Sequence, residues 1–446
     1  MHNRRTKILS LSAALLASGG ILIPGAAVAD SAPTSAAGKA VTPGADIPAT
    51  PAGAKLKWLL DAMSRAPIPE AEVKEHISAG YLEYLSAAQF NEVFKAFAGL
   101  KLTAVHDQAP DRLGAAATLA GKKWWLVLDL DPDGKIEILG FSEVKPPPPA
   151  PRDWKDLERR LGKVTTDAGF LAAEIDGRTC RPVRGVEHRK VRPLGSMFKL
   201  YILGTVAKQI RAGDYSWDTE LTITPELKSF PSGILQMRPD NSKVTVREAA
   251  ELMISISDNT GTDLLLHKAG RKNVERTARS WGAPVKGNTP MLSIREMFLL
   301  KSEHAYPKLA DQYKKLSVKG KRAFLADTIA KIPRSSFKVW TAPRELSTIE
   351  WFASPADICR AHAELRAMAD PAVEKAMARN SGGVPGAWYK GGSEPGLLDF
   401  GYSVKGADGK VRFVTTMAVD KKKPFDVVKD QDELIALSSG AFKLMS

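Results

Sequence analysis

The chain has 446 residues, 44% of them hydrophobic and 26% charged, with a formal net charge of +14. These are the proportions of a soluble globular protein long enough for two or three domains. The basic residues are scattered, Lys421-Lys422-Lys423 is the only run, and no nucleic-acid motif accompanies them, so a nucleic-acid partner is set aside. The two cysteines have no cluster of Cys or His at ligand spacing around them, and neither a metal nor another cofactor is expected.

At the N-terminus, Arg4, Arg5 and Lys7 precede an apolar run from Ile8 to Ile23, and Ala27-Val28-Ala29 offers a small-residue cleavage site. The pattern predicts a signal peptide over 1–29, removed after Ala29 to give an extracytoplasmic protein with no transmembrane span in the mature chain. No cysteine stands at the predicted cleavage site, which argues against a lipoprotein. A basic exported protein is expected to meet anionic cell-wall polymers or phospholipid surfaces. Cys180 and Cys359 either pair in that oxidising setting or stay as buried thiols.

Residues 30–52, rich in Ala, Pro, Thr and Gly, read as a flexible linker. A small α+β domain is predicted over 53–145. Leu56, Leu59, Leu60 and Met63 share one helical face, as do Phe90, Val93, Phe94 and Phe97. WWLVLDL, the turn Asp131-Pro132-Asp133-Gly134 and KIEILGF then read as a hairpin. The Trp124-Trp125 pair is expected in the core rather than around a ligand. Helices followed by a curved antiparallel sheet resemble the nuclear-transport-factor-2-like cone fold, which implies nothing about activity. Pro146 to Pro151 begins a stiff spacer over 146–152, and alternating helices and strands fill 153–446.

Three strings in the last segment carry chemistry: Ser196-Met197-Phe198-Lys199, Ser257-Asp258-Asn259 and Lys390-Gly391-Gly392. An apolar helix starting at Ser196 puts Lys199 on the same face one turn on, and helix N-terminal N–H groups face any developing oxyanion. A serine hydroxyl needs a base, and a lysine serves only when neutral; burial and a second positive charge, here Lys390, both favour that state. Ser257 and Asn259 sit at a helix-to-helix turn, where they relay a proton and orient an amide, or simply cap the next helix. Two other Ser-x-x-Lys strings fail on context. Ser142 to Lys145 runs straight into prolines, and Ser335 to Lys338 lies downstream of Ser257.

The ordered trio, with PLGSMFKLYILG and MISISDNTGTDLLL around its first two members, resembles the serine β-lactamase and penicillin-binding protein superfamily, and within it the class A β-lactamases. The resemblance covers about 153–446 and implies an antiparallel sheet flanked by helices beside an all-helical lobe, an α+β multidomain chain overall. It implies catalytic roles for Ser196 (acylated nucleophile), Lys199 (its activator), Ser257 (proton relay) and Lys390. Asn259, Gly392 and Ser393 would bind substrate, the N–H groups of Ser196 and Ser393 forming the oxyanion hole. The implied substrate is a small molecule: a β-lactam, ester or amide.

Two departures temper that implication. Residues 270–290 contain no Glu-x-x-Leu-Asn, so the loop carrying the deacylating glutamate reads as truncated, and the following helix begins at Leu292. Gly391 stands where the family has Thr or Ser, removing a hydroxyl that would bond a carboxylate. The expected protein is a secreted serine hydrolase with weak or absent β-lactam turnover. The alternatives are a D-Ala-D-Ala peptidase or transferase, or a non-catalytic wall-binding module. Residues 331–370 read as an added or rearranged helical segment near the mouth of the site. The two-domain layout also resembles actinobacterial proteins related to the lipoprotein LpqF and to a lactamase-like protein of clavulanic acid biosynthesis.

Overall fold

The computed structural model describes residues 20–21 and 46–446, except 145, 230–231 and 427. Most of the predicted signal peptide and most of the predicted linker therefore lie outside the described residues. Contacts divide the chain into two compact units, Met1–Pro146 and Pro147–Ser446.

In the first unit, helices α1 (Pro51–Arg65), α2 (Glu70–His76), α3 (Ala79–Tyr84) and α4 (Ala87–Ala96) precede the antiparallel meander β1 (Lys101–Ala109), β2 (Arg112–Leu119), β3 (Lys122–Leu130) and β4 (Ile136–Glu143). Gly20–Ile21 pairs with Phe141 and Ser142 at the β4 edge. Thr50 caps α1, and a capping box of Ser86 with Gln89 starts α4, so each helix begins where a side chain satisfies its free N–H groups. The apolar faces of α1 (Leu56, Leu59, Met63) and α4 (Phe90, Phe94) share one core with Leu113, Leu126, Leu128 and Phe141 of the sheet. Trp125 is buried over Gly114, where a Cβ would come within 2.5 Å of its ring. This tryptophan is core.

The second unit is built on a five-stranded antiparallel sheet of β5 (Asp167–Asp176), β6 (Thr179–Val186), β7 (Trp388–Glu394), β8 (Leu397–Lys405) and β9 (Val411–Val419), in the order β7-β8-β9-β5-β6. Chain ends thus meet in the middle of the sheet, β5 beside β9. Helices α5 (Trp154–Val164) and α15 (Lys429–Leu444) pack together, and α15 also packs on β9. Helices α6 (Lys199–Arg211), α7 (Val246–Ser255), α8 (Asn259–Ala269) and α9 (Arg271–Ser280) pack on one another as a helical layer, α6 carrying an unbroken buried stretch from Lys199 to Ala207. α10 (Ile294–Lys301), α11 (Lys308–Lys315) and α12 (Val318–Asp327) follow, then α13 (Pro355–Ala367) and α14 (Pro371–Ala378).

Residues 271–280 are helix α9, and a long excursion lies later, between α10 and the two-residue strand Phe352–Ala353. One sequence expectation changes here. Residues 331–370 are not one added or rearranged helical segment. They comprise the end of that excursion, the strand Phe352–Ala353, and α13, which packs on β5 and β9 and buries Ile358, Cys359 and Leu365. The periodicity of α13 reflects core packing rather than a mouth. Its Cys359 forms a disulfide with Cys180 of β6, Cα to Cα 6.3 Å, which resolves the open question of the two thiols.

Candidate active site

Ser196 lies in a 3₁₀ turn, Gly195–Phe198, and α6 begins only at Lys199. The sequence predicts a helix from Ser196; the tighter first turn has a steric reason. Gly195 has φ of +48°, open to glycine at no cost, and a Cβ there would sit 3.1 Å from the Ser393 nitrogen. From the other side, a Cβ at Gly392 would sit 2.1 Å from the Leu194 carbonyl oxygen and 2.9 Å from the Ser196 nitrogen. The nucleophile turn and strand β7 therefore touch backbone to backbone, and two glycines permit it. This contact brings the N–H groups of Ser196 and Ser393 to the same edge.

Lys199 is fully buried. Its Nζ lies 2.7 Å from the Ser257 carbonyl oxygen, 3.0 Å from Ser257 Oγ and 2.8 Å from Asn259 Oδ1. Lys390, on β7 and 2% exposed, sends its Nζ to Ser257 Oγ at 3.1 Å and to the Gly391 carbonyl oxygen at 2.8 Å. Burial first, and then the Lys390 charge, push the Lys199 ammonium well below the usual lysine range, against the opposing pull of Asp258 and Asp263. Burial lowers Lys390 to about 7. Lys390 can thus exchange a proton near neutral pH, and Lys199 is driven toward the neutral form that a general base requires.

Ser257 ends α7 with φ of +58°, the left-handed conformation that a C′ glycine normally takes. A non-glycine residue there is worth on the order of 1–2 kcal/mol of strain. The strain aims the hydroxyl at both lysines and lets α8 start two residues later. Asp258, the N-cap of α8, is fully buried; its carboxylate accepts from Gly261 N at 2.7 Å, Ile234 N at 2.6 Å and Leu235 N at 2.9 Å. It pins the 233–235 loop beneath the motif. The capping reading thus holds for Asp258, while Ser257 and Asn259 turn toward Lys199.

Ser196, Lys199, Ser257, Asn259, Lys390, Gly392 and Ser393 are all brought together. The Ser196 hydroxyl itself makes no side-chain hydrogen bond among the described residues, because Lys199 is committed to the 257–259 turn.

Three residues escaped the sequence reading. Glu350 accepts from Gly195 N at 3.2 Å and Trp351 N at 3.1 Å, fixing the residue before the nucleophile. Lys301, fully buried, bridges Glu350 at 3.2 Å and Glu394 at 2.7 Å. Burial opposes the Lys301 charge, but Glu394 and Glu350 together outweigh it and hold the ammonium above its ordinary range. Lys301 and Glu350 stand at the two ends of the 302–349 excursion, so one buried ion pair closes that loop of chain. Nothing in their local sequence marks them, since their partners are remote. Tyr389 is the third. It lies directly before Lys390, its ring stacked at 5.1 Å on Tyr402, and a β-strand aromatic there reads as ordinary core. Among the described residues no group of three or more His, Cys, Asp or Glu could hold a metal, and no helix is long and apolar enough to cross a membrane.

Residues 155–329 match the model of the β-lactamase enzyme family, and residues 47–136 match the one described as ORF 12 gene product N-terminal. No curated protein matches the chain. Among solved structures the chain is similar to PBP-A (18% identity, 67% of this chain and 99% of that one, TM-score 0.44). It is also similar to a β-lactamase of Sphaerobacter thermophilus (17%, 65% and 96%, TM-score 0.44) and one of Xanthomonas campestris (14%, 65% and 97%, TM-score 0.45). The family match takes in both the Ser196–Lys199 turn and the Ser257–Asn259 turn and supports a likeness of the second unit to the serine β-lactamase and penicillin-binding protein superfamily.

Proposed function

We propose that the protein is an exported serine hydrolase that forms an acyl-enzyme on Ser196. The observation that carries this reading is the buried Lys199 ammonium, held by Ser257 and Asn259 beside a second lysine and lowered toward neutrality. In the reaction, Ser196 Oγ adds to the acyl carbonyl carbon and its proton passes to neutral Lys199. The N–H groups of Ser196 and Ser393 bond the resulting oxyanion. The C–N or C–O bond then breaks, the leaving group taking a proton through Ser257, and water later cleaves the ester.

Slow release from β-lactams follows from the absence of a Glu-x-x-Leu-Asn string after Ser257. Losing a general base costs on the order of 10²–10⁴ in rate. Glu303, on the excursion after α10, is half exposed and paired with Arg344 at 2.6 Å, which supports treating it as a surface group. Small esters or amides are the substrates to test first, and cell-wall peptides ending in D-Ala-D-Ala the alternative.

Intact-protein mass spectrometry after exposure to benzylpenicillin and to p-nitrophenyl acetate tests the reading. A one-to-one adduct that disappears in Ser196→Ala supports it. No adduct with either compound overturns it.

A further inference from the structure

A cleft in the second unit shares no residue with the Ser196 cluster. Three cations, Lys228, Arg295 and Arg334, and two phenylalanines, Phe298 and Phe337, make most of its wall, and no carboxylate lines it. The pairing of cation with ring arises locally on both sides. Arg295 and Phe298 are three apart on α10, and Arg334 and Phe337 are three apart across the 3₁₀ turn Arg334–Ser336 of the 302–349 excursion. Each element therefore supplies one guanidinium and one phenyl ring, and the two rings meet edge to face at 5.5 Å. Trp340 packs on both, 5.2 Å from Phe298 and 6.5 Å from Phe337.

The carboxylates of this region have other partners. Asp240 pairs with Lys228 at 2.6 Å, and buried Asp263 accepts from Ile294 N at 2.7 Å, Arg295 N at 2.9 Å and Ser229 Oγ at 2.5 Å. The half-buried Arg295 guanidinium bonds carbonyl oxygens alone among the described residues, those of Lys228 at 3.4 Å and Ile332 at 2.8 Å. Burial pushes it below the ordinary arginine range; Asp263 and Glu226 pull the other way, and the Arg334 charge adds to the lowering. A cation taken partly out of water, repelled by a second cation and bonded to no carboxylate, is stabilised by an anion from solution.

The wall is held in place from α8. Ser229, which also lines the cleft, donates its N–H to Thr260 Oγ1 at 2.9 Å, while Asp263 holds both Ser229 and the Arg295 backbone. A site fixed in this way loses little entropy on binding. The cleft offers about 240 Å³ of space, part of it open solvent, which suits a single ring with its charged group.

We propose that this cleft is a second ligand site, distinct from the Ser196 cluster, that takes a small aromatic carboxylate. Arg295 and Arg334 share the carboxylate, and Phe298 and Phe337 face the ring. The ligand is held reversibly and forms no bond to the protein.

Calorimetric titration of the full chain with benzoate tests this. Saturable one-to-one binding is expected. Acetate, which lacks the ring, and benzyl alcohol, which lacks the charge, should each bind about tenfold more weakly or worse. Arg295→Gln and Arg334→Gln should each weaken benzoate binding by about the same factor, the scale of one hydrogen bond to a charged group. The second variant keeps the test decisive if the first, whose guanidinium bonds two backbone carbonyls, fails to fold. Ser196→Ala should bind benzoate as the wild type does. Absence of saturable binding overturns the proposal, and so does binding unchanged by Arg334→Gln, or equal affinity for acetate or benzyl alcohol. Loss of binding in Ser196→Ala places benzoate at the nucleophile instead and overturns it as well.

Discussion

Lys199 and Lys390 converge on a single acceptor, the Ser257 hydroxyl, at 3.0 and 3.1 Å. Two ammonium groups around one oxygen repel, and both are buried, so the cluster holds fewer protons than its isolated parts would.

Acylation of Ser196 requires neutral Lys199, so its rate should rise with pH through a limb centred well below the ordinary lysine range. Lys390→Met removes the positive charge that helps to depress Lys199. The limb should then move to higher pH, and acylation at pH 7 should fall. Stopped-flow labelling with p-nitrophenyl acetate from pH 5 to 10 measures this; a limb that stays in place counts against Lys390 as the depressing charge.

The same substitution has a stability signature of definite sign. Between about 7 and the unfolded lysine value, the unfolded chain binds a proton that folded Lys390 does not, so stability rises with pH across that window. Below it, the buried cation costs its full desolvation. Lys390→Met should therefore be more stable than the wild type at pH 6, and the difference should shrink by pH 9.5. Melting temperatures at the two pH values give the answer.

Lys301 pairs with two buried carboxyl groups, and Glu394 is held well above the ordinary carboxylate range by burial. Lys301→Met leaves Glu350 and Glu394 without their shared cation, a loss of about 3–5 kcal/mol by the behaviour of buried pairs with one partner removed. Because Glu350 also holds Gly195 N, acylation should slow as well. Urea unfolding and the acetate assay check the two effects together.

Gly392→Ala would press a Cβ to 2.1 Å from the Leu194 oxygen, a backbone atom that cannot rotate away. The strand or the nucleophile turn must shift, at a cost of about 1–3 kcal/mol or more. Acylation should fall far more than stability, since the shift lands on the Ser196 N–H. An alanine variant that labels at the wild-type rate would contradict the backbone contact.

The Cys180–Cys359 disulfide ties β6 to α13 across 179 residues of sequence. Cys180→Ser should lower stability by about 2–5 kcal/mol, while acylation at 25 °C stays unchanged. Chemical unfolding of both forms, with and without reductant, tests this.

The order and spacing of Ser196, Lys199, Ser257, Asn259 and Lys390 were legible from sequence because each motif is local: a helix turn, a two-residue reversal, a glycine-bearing strand. The helices of the first unit were legible for the same reason, since Leu56 to Met63 and Phe90 to Phe94 repeat at 3.6-residue spacing. The excursion over 302–349 was not legible in the sequence, because its two ends are joined by Lys301 and Glu350, residues that recognise each other only across 49 positions.

Sequence by itself determined which residues can do chemistry, since residue type and short-range spacing are covalent facts. Tertiary structure alone decided their state. Burial lowers Lys199 and Lys390, Gly195 and Gly392 let the nucleophile turn and the strand touch, and the ring of Tyr389 fills the room left at Gly391. Desolvation and close contact are properties of what surrounds a group in space, and most of what surrounds these groups comes from segments far away along the chain.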